Sequence, residues 1–206
     1  MATFALVHGA WHGGWAWDLL RDALEARGHE VTAPDLPCED VDAGIEDYAR
    51  CVPRADVAVG HSLGGLTIPL VDARLRVYLC ALWPGLDRSD TYVPGFGDAR
   101  TRDERGRSYY PDPADAAREL QYPPEAVALA EKLRRQAPVD STVVAAGPSL
   151  YVVCNRDAAI RPDWQRRAAH ACDRAVELGA GHSPMLTHPR ELAEILESAA
   201  REAGIV

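Results

Sequence analysis

Residues 60–64, Gly60-His61-Ser62-Leu63-Gly64, have the form G-x-S-x-G. A serine hydroxyl is a poor nucleophile unless a base lies within hydrogen-bond reach and the chain holds it clear of its surroundings. A sharp turn from a strand into a helix does the second job. Small residues two places before and after the serine let the chain fold there without a clash, and Gly65 adds room. An apolar run at residues 56–60 (DVAVG) precedes the motif, and a helix is expected from about Leu63. That context raises Ser62 above an ordinary glycine-rich turn.

The base must come from seven histidines. His182 stands out because it follows a short apolar run through Gly179-Ala180-Gly181, a loop able to carry an imidazole over a sheet edge. His8 reads as structural, and His61 is expected to point away from the Ser62 hydroxyl. His29, His170 and His188 read as surface residues, and His12 is undecided. An acid must fix the tautomer of the base and stabilise its cation. Asp157 directly follows the run 150–154 (LYVVC); Asp35 and Asp163 are rivals, and a turn or helix cap is the plainer reading of Asp157. A tetrahedral oxyanion needs two donors. The backbone N–H of Leu63 is one, and that of Ala10, in the loop after residues 3–7 (TFALV), is the other.

These groups need a scaffold that brings distant loops together. Short apolar runs at 3–7, 30–33, 56–60, 76–82, 150–154 and 175–178 alternate with helical patterns. Runs that are apolar throughout, separated by helices, predict a mostly parallel six-stranded sheet with helices on both faces. Residues 15–27 have helical spacing closed by Gly28, and a last helix is expected from Pro189, burying Leu192, Ile195, Leu196 and Ala199. Pro69 predicts a kink in the helix after Ser62. The organisation is therefore a core of residues 1–83 and 149–206, with residues 84–148 as a lid insertion. Within that insertion no strand is expected, and residues 124–136 read as an amphipathic helix. Trp11, Trp15 and Trp83 are candidates for walling a substrate pocket, with core packing as the alternative.

Composition limits the class. The chain has 206 residues, 47% hydrophobic and 26% charged, which suits one globular domain rather than disorder. A net charge of −9 without a basic cluster excludes a nucleic-acid partner. No apolar run approaches the roughly 18 residues that span a bilayer, so no membrane partner is expected. No basic segment precedes the first apolar stretch, and five scattered cysteines never stand at CxxC spacing. Both point to a cytoplasmic protein without disulfides or a metal site. No cofactor is implied. Whether the chain is a monomer or a homodimer is not legible.

Four segments, LVHGAWHGGW (6–15), GHSLGG (60–65), YVVCNRDAAIRP (151–162) and GHSPMLTHP (181–189), resemble the α/β-hydrolase superfamily. More narrowly, they are similar to its small branch of bacterial esterases, plant methylesterases and plant hydroxynitrile lyases. The order Ser62, Asp157, His182 is the triad order of that superfamily. The resemblance implies a carboxylesterase-type serine hydrolase with that triad, an oxyanion hole at Ala10 and Leu63, and a sheet lacking the first two strands of larger members. A small-molecule ester is the implied partner. Two alternatives stay open: a hydroxynitrile lyase-type reaction, and a ligand-binding receptor with little turnover. The lyases of this branch carry a lysine after the histidine and a threonine in the first-strand loop; here those positions are Ser183 and Gly9.

Overall fold

The computed structural model describes residues 1–206. The chain opens with strand β1 (Thr3–Val7), a 3-10 turn (Gly14–Trp17), helix α1 (Asp18–Glu25) and edge strand β2 (Glu30–Thr32). Helix α2 (Ile45–Arg50), β3 (Ala55–His61) and β4 (Ala73–Leu79) follow. Then come a small hairpin, β5 (Thr101–Arg102) and β6 (Ser108–Tyr109), helix α3 (Pro113–Glu119) and a 3-10 stretch (Pro124–Lys132). The chain closes with β7 (Ser149–Cys154), α4 (Pro162–Ala169), β8 (Arg174–Leu178), α5 (Pro184–Thr187) and α6 (Pro189–Glu202).

The six core strands form one parallel sheet in the order β2-β1-β3-β4-β7-β8. Side chains alternate across it, as strand geometry requires. Phe4, Leu6, Val57, Val59, Val77 and Leu79 pack against Leu20 and Leu24 of α1 and Leu192 and Leu196 of α6. On the other face Val7, Ala58, Tyr78, Tyr151 and Val153 meet Tyr48 of α2 and Trp164 of α4. Both faces are covered, hence the uninterrupted apolar runs.

The topology decides where a site can form. From β1 the chain moves outward to β2, then returns to β3 on the opposite side of β1. In open α/β sheets the crevice at such a reversal, beyond the carboxyl ends of the strands, is where ligands bind. The pairing Val7↔Gly60 places the loops after β1 and β3 side by side, and Cys154↔Leu178 does the same for those after β7 and β8.

Several expectations need correction. The helix after Ser62 is not an α-helix with a kink. Two 3-10 turns, Ser62–Leu66 and Ile68–Leu70, lead straight into β4. Gly64 and Gly65 favour no helix, Pro69 removes a donor, and β4 starts too soon for a longer element. That strand begins at Ala73, earlier than its apolar run suggests, and stops where Cys80 takes φ +36°. Residues 124–132 form 3-10 turns in place of the expected amphipathic helix, with Val127 exposed while Ala126 and Ala130 are buried. Nor is the insertion free of strands, given the hairpin β5–β6. His29 is buried, its Nδ1 accepting from the Ala2 N–H and its ring edge-on to Phe4. No helix is long and apolar enough to cross a membrane, and all five cysteines are free.

Candidate active site

Ser62 sits at the carboxyl end of β3 with φ +52°, in the left-handed region that a residue with a side chain rarely takes. The surrounding glycines show what holds it there. A Cβ on Gly60 would lie 2.7 Å from the Gly64 carbonyl oxygen, and one on Gly64 would lie 2.5 Å from that of Val7. The turn is thus pressed against β1, and Leu82 N–H donates to the Ser62 carbonyl at 2.9 Å from the other side. A Cβ on Gly9 would come within 2.9 Å of the Ser62 Cβ, so the loop after β1 runs directly over the serine.

Asp157 and His182 meet across the neighbouring loops. Nδ1 of His182 donates to Oδ2 of Asp157 at 2.9 Å, and both side chains are almost wholly buried. The carboxylate is fully committed. Oδ1 accepts from the N–H groups of Ala159 at 2.7 Å and Ile160 at 3.0 Å, and Oδ2 also accepts from Gln165 Nε2 at 2.8 Å. An anion can be buried at such a site because four donors replace its water. With Nδ1 carrying the proton, Nε2 of His182 is the basic nitrogen. Ser62 Oγ and His182 Nε2 are not hydrogen-bonded to each other. The rivals do not share this arrangement. Asp35 accepts from Gly14 N–H, and Asp163 pairs with Arg166.

Three further histidines surround the serine, and their hydrogen bonds fix their tautomers. Nδ1–H of His8 donates to the Gly9 carbonyl while Nε2 accepts from Leu36 N–H, tying the loop after β1 as expected. His12 Nδ1–H donates to the Ala10 carbonyl at 2.8 Å, and its Nε2 accepts from Tyr122 O–H at 2.8 Å. Nε2–H of His61 donates to the carbonyl of His182 at 2.7 Å, so its ring turns toward the neighbouring loop, and its Nδ1 is buried without a partner. Burial lowers all three: His8 to about 4, His12 to about 3, and His61 well below its ordinary value. They stay neutral at physiological pH.

His61, Cys80 and His182 could offer a metal one ligand atom each, within 4.8 Å of one another. Burial pushes the Cys80 thiol well up, the His61 ring is committed to a carbonyl, and His182 Nδ1 is held by Asp157. A thiol held protonated is a poor ligand, so the trio reads as packed hydrogen-bonding groups.

Ala10 and Leu63 stand on the two adjacent loops, Leu63 directly after the serine. The Ala10 peptide is fixed from its carbonyl side by His12, and its N–H donates to no protein acceptor. Trp11, with φ +64°, lies edge-on to Tyr110 and donates Nε1–H to Ser108 Oγ. Its indole forms one wall of a sandwich in which the Arg100 guanidinium lies 4.8 Å from Trp11 and 4.9 Å from Phe96. Phe96 in turn lies 6.2 Å from the His182 ring. Trp15 stacks on His12, and Trp83 packs on Tyr78 within the opposite core layer.

Four residues of this environment escaped the sequence reading. Gln165 has a weak signal, eight positions after Asp157 and on the helix that follows it. Gln121, Tyr122 and Phe96 belong to the insertion, where nothing in the local pattern reports their distant partners.

The profile of the alpha/beta hydrolase family matches residues 4–195. Salicylic acid-binding protein 2 of Nicotiana tabacum is 30% identical over a 250-residue alignment covering 95% of this chain and 96% of that protein. Methyl jasmonate esterase 1 of Vitis vinifera is 26% identical, covering 94% and 95%. Both alignments exceed the chain's own length, so these relatives carry segments that it lacks. A solved structure of a tomato methylketone synthase I mutant superposes with a TM-score of 0.79 at 25% identity, covering 98% of each chain. A match of that extent, on a sheet of that topology, places the chain in the alpha/beta hydrolase family.

Proposed function

We propose that the protein is a serine esterase that cleaves a small carboxylic ester through an acyl-enzyme on Ser62. The observation that carries this reading is the buried Asp157–His182 pair, 2.9 Å apart, beside a serine held in a left-handed turn. In this reading His182 Nε2 takes the Ser62 proton as Oγ attacks the ester carbonyl. The Ala10 and Leu63 N–H groups receive the oxyanion, and the alcohol leaves with the proton from His182. Water, deprotonated by the same nitrogen, then releases the acid. In this reading the Oγ–Nε2 hydrogen bond forms on substrate binding, since such bonds are often long or poorly aligned in the free enzyme.

The relatives support the substrate class. Those named as methylesterases and as a jasmonate esterase cover nearly the whole chain. Residues 84–148 serve as the cap in this reading, and Trp11 is the tryptophan of the three named above that stands nearest the oxyanion loop. A fluorophosphonate probe followed by peptide mass spectrometry tests the proposal. The adduct is expected on Ser62, and Ser62→Ala should lose kcat by on the order of 10⁶-fold. An unmodified Ser62, or an active Ser62→Ala variant, overturns it.

A further inference from the structure

Two adjacent residues of the insertion reach three loops of the candidate site: the acid loop, the base loop and, through His12, the loop after β1. Gln121 Oε1 accepts from His182 N–H at 2.9 Å and from Ala158 N–H at 2.7 Å, while its Nε2–H donates to the Arg156 carbonyl at 3.0 Å. One amide therefore binds the acid loop on both sides of Asp157 and the backbone of the base. Tyr122 O–H donates to His12, and His12 donates to the Ala10 carbonyl, so the next residue reaches the oxyanion loop. Leu120 joins them, its carbonyl accepting from Ser183 Oγ at 2.6 Å.

We propose that Gln121 and Tyr122 are positioning residues that set the acid, base and oxyanion loops relative to one another. Their inferred role rests on the triad reading above. Two independent features support it. Gln121 follows the C-cap of α3 with φ +54°, a place where glycine or asparagine is the favoured residue. A long amide is kept there against that preference. Gly181, the residue before the base, also makes sense only through Gln121: a Cβ on it would lie 2.8 Å from the Gln121 Cδ and Nε2. The Gly-His pair thus leaves a gap that the glutamine amide occupies.

Four variants decide the matter, assayed on p-nitrophenyl acetate. Gln121→Gly deletes three hydrogen bonds while relieving the backbone, so unfolding temperature should hold. Its kcat should fall about 100-fold, the loss expected from a small misplacement of catalytic groups, with KM little changed and the acidic limb of the pH–rate profile displaced. Gly181→Ala, which pushes the amide aside, should do the same. The double variant should be little worse than either single one, because both remove one contact. Tyr122→Phe should lower kcat about 10-fold, part of the 100- to 1000-fold that a whole oxyanion donor is worth, and leave the limb in place. A Gln121→Gly variant with wild-type kcat and pH profile, or additive losses in the double variant, overturns the proposal. Fluorophosphonate labelling of the wild type separates this result from the triad reading. A wild type unlabelled at Ser62 defeats that reading and this proposal with it, whereas a labelled wild type whose variants keep kcat and pH profile defeats the positioning role alone.

Discussion

Gln165 holds Asp157 by the same oxygen that Asp157 offers to His182. Its Nε2 lies 2.8 Å from Oδ2 and also donates to the Ile160 carbonyl, while its Oε1 accepts from Cys154 N–H at 2.9 Å. The side chain is fully buried and joins the end of β7, the acid and the loop after it. Gln165→Leu should therefore cost about 3 kcal/mol or more of stability, since it strands a backbone N–H, a carbonyl and part of a carboxylate in the interior. Urea unfolding measures it; a loss below 1 kcal/mol would mean that the loop finds new partners.

Asp157→Asn keeps the shape of the acid and removes its charge. The amide can present a donor where His182 needs an acceptor, which favours the wrong tautomer of the ring. On the triad reading kcat should fall about 10⁴-fold. Stopped-flow or steady-state ester hydrolysis gives the ratio, and a loss under tenfold would assign the base elsewhere.

Two glycines make a matched test of the turn. A Cβ at Gly64 would lie 2.5 Å from the carbonyl oxygen of Val7, the last residue of β1, and 2.9 Å from that of His8, the first residue of the loop after it. Gly64→Ala should cost about 3 kcal/mol. Gly28 has φ +82° but no atom within 4 Å of where its Cβ would stand. Gly28→Ala carries only the backbone penalty, about 1 kcal/mol. Equal shifts in the two urea midpoints would contradict the packing described for Ser62.

The three neutral histidines predict a pH dependence with a definite sign. Their folded values are lowered by burial from an ordinary 6.5, to about 4 for His8, to about 3 for His12 and well below that ordinary value for His61. Below that ordinary value the unfolded chain takes up protons that the folded chain refuses. Stability should then fall as pH drops below about 6.5, by up to about 1.4 kcal/mol per pH unit for each ring. The loss from His8 is complete near pH 4 and that from His12 near pH 3. Carboxylates such as Asp56 and Glu177, whose values are lowered by their partners, weaken the fold only in the lower carboxylate range. Denaturation midpoints between pH 7.5 and 5 test the histidine window, and a flat profile there would refute it.

The central strands were legible because they are buried on both faces over most of their length and so read as apolar runs, whereas the edge strands β2 and β8 are largely exposed and were marked only by short stretches between helical patterns. Ser62, Asp157 and His182 were legible because each directly follows such a run or a short glycine loop. What failed was local structure governed by distant contacts. The 3-10 turns after Ser62 reflect Gly64, Gly65 and Pro69 together with an early start of β4, and helical periodicity does not register that combination. Val127 faces solvent while the small Ala126 and Ala130 turn inward, a choice made by what the segment packs against and not by its own periodicity. His29 is buried because it follows Gly28 into the edge of the sheet. Gln121 lies far in sequence from His182, and only the fold reveals that its amide fills the space over Gly181.

The 3-10 turn at Ser62–Leu66 also has an electrostatic meaning. A long α-helix aligns many peptide dipoles and projects a collective positive potential from its first turn. Five residues in a tighter coil, followed by a second short turn in place of a continuous axis, sum to far less. Negative charge developing over the serine would be met by the nearest amide protons alone, so electrostatic support at this centre depends on a few atoms held in register rather than on the reach of an entire rod.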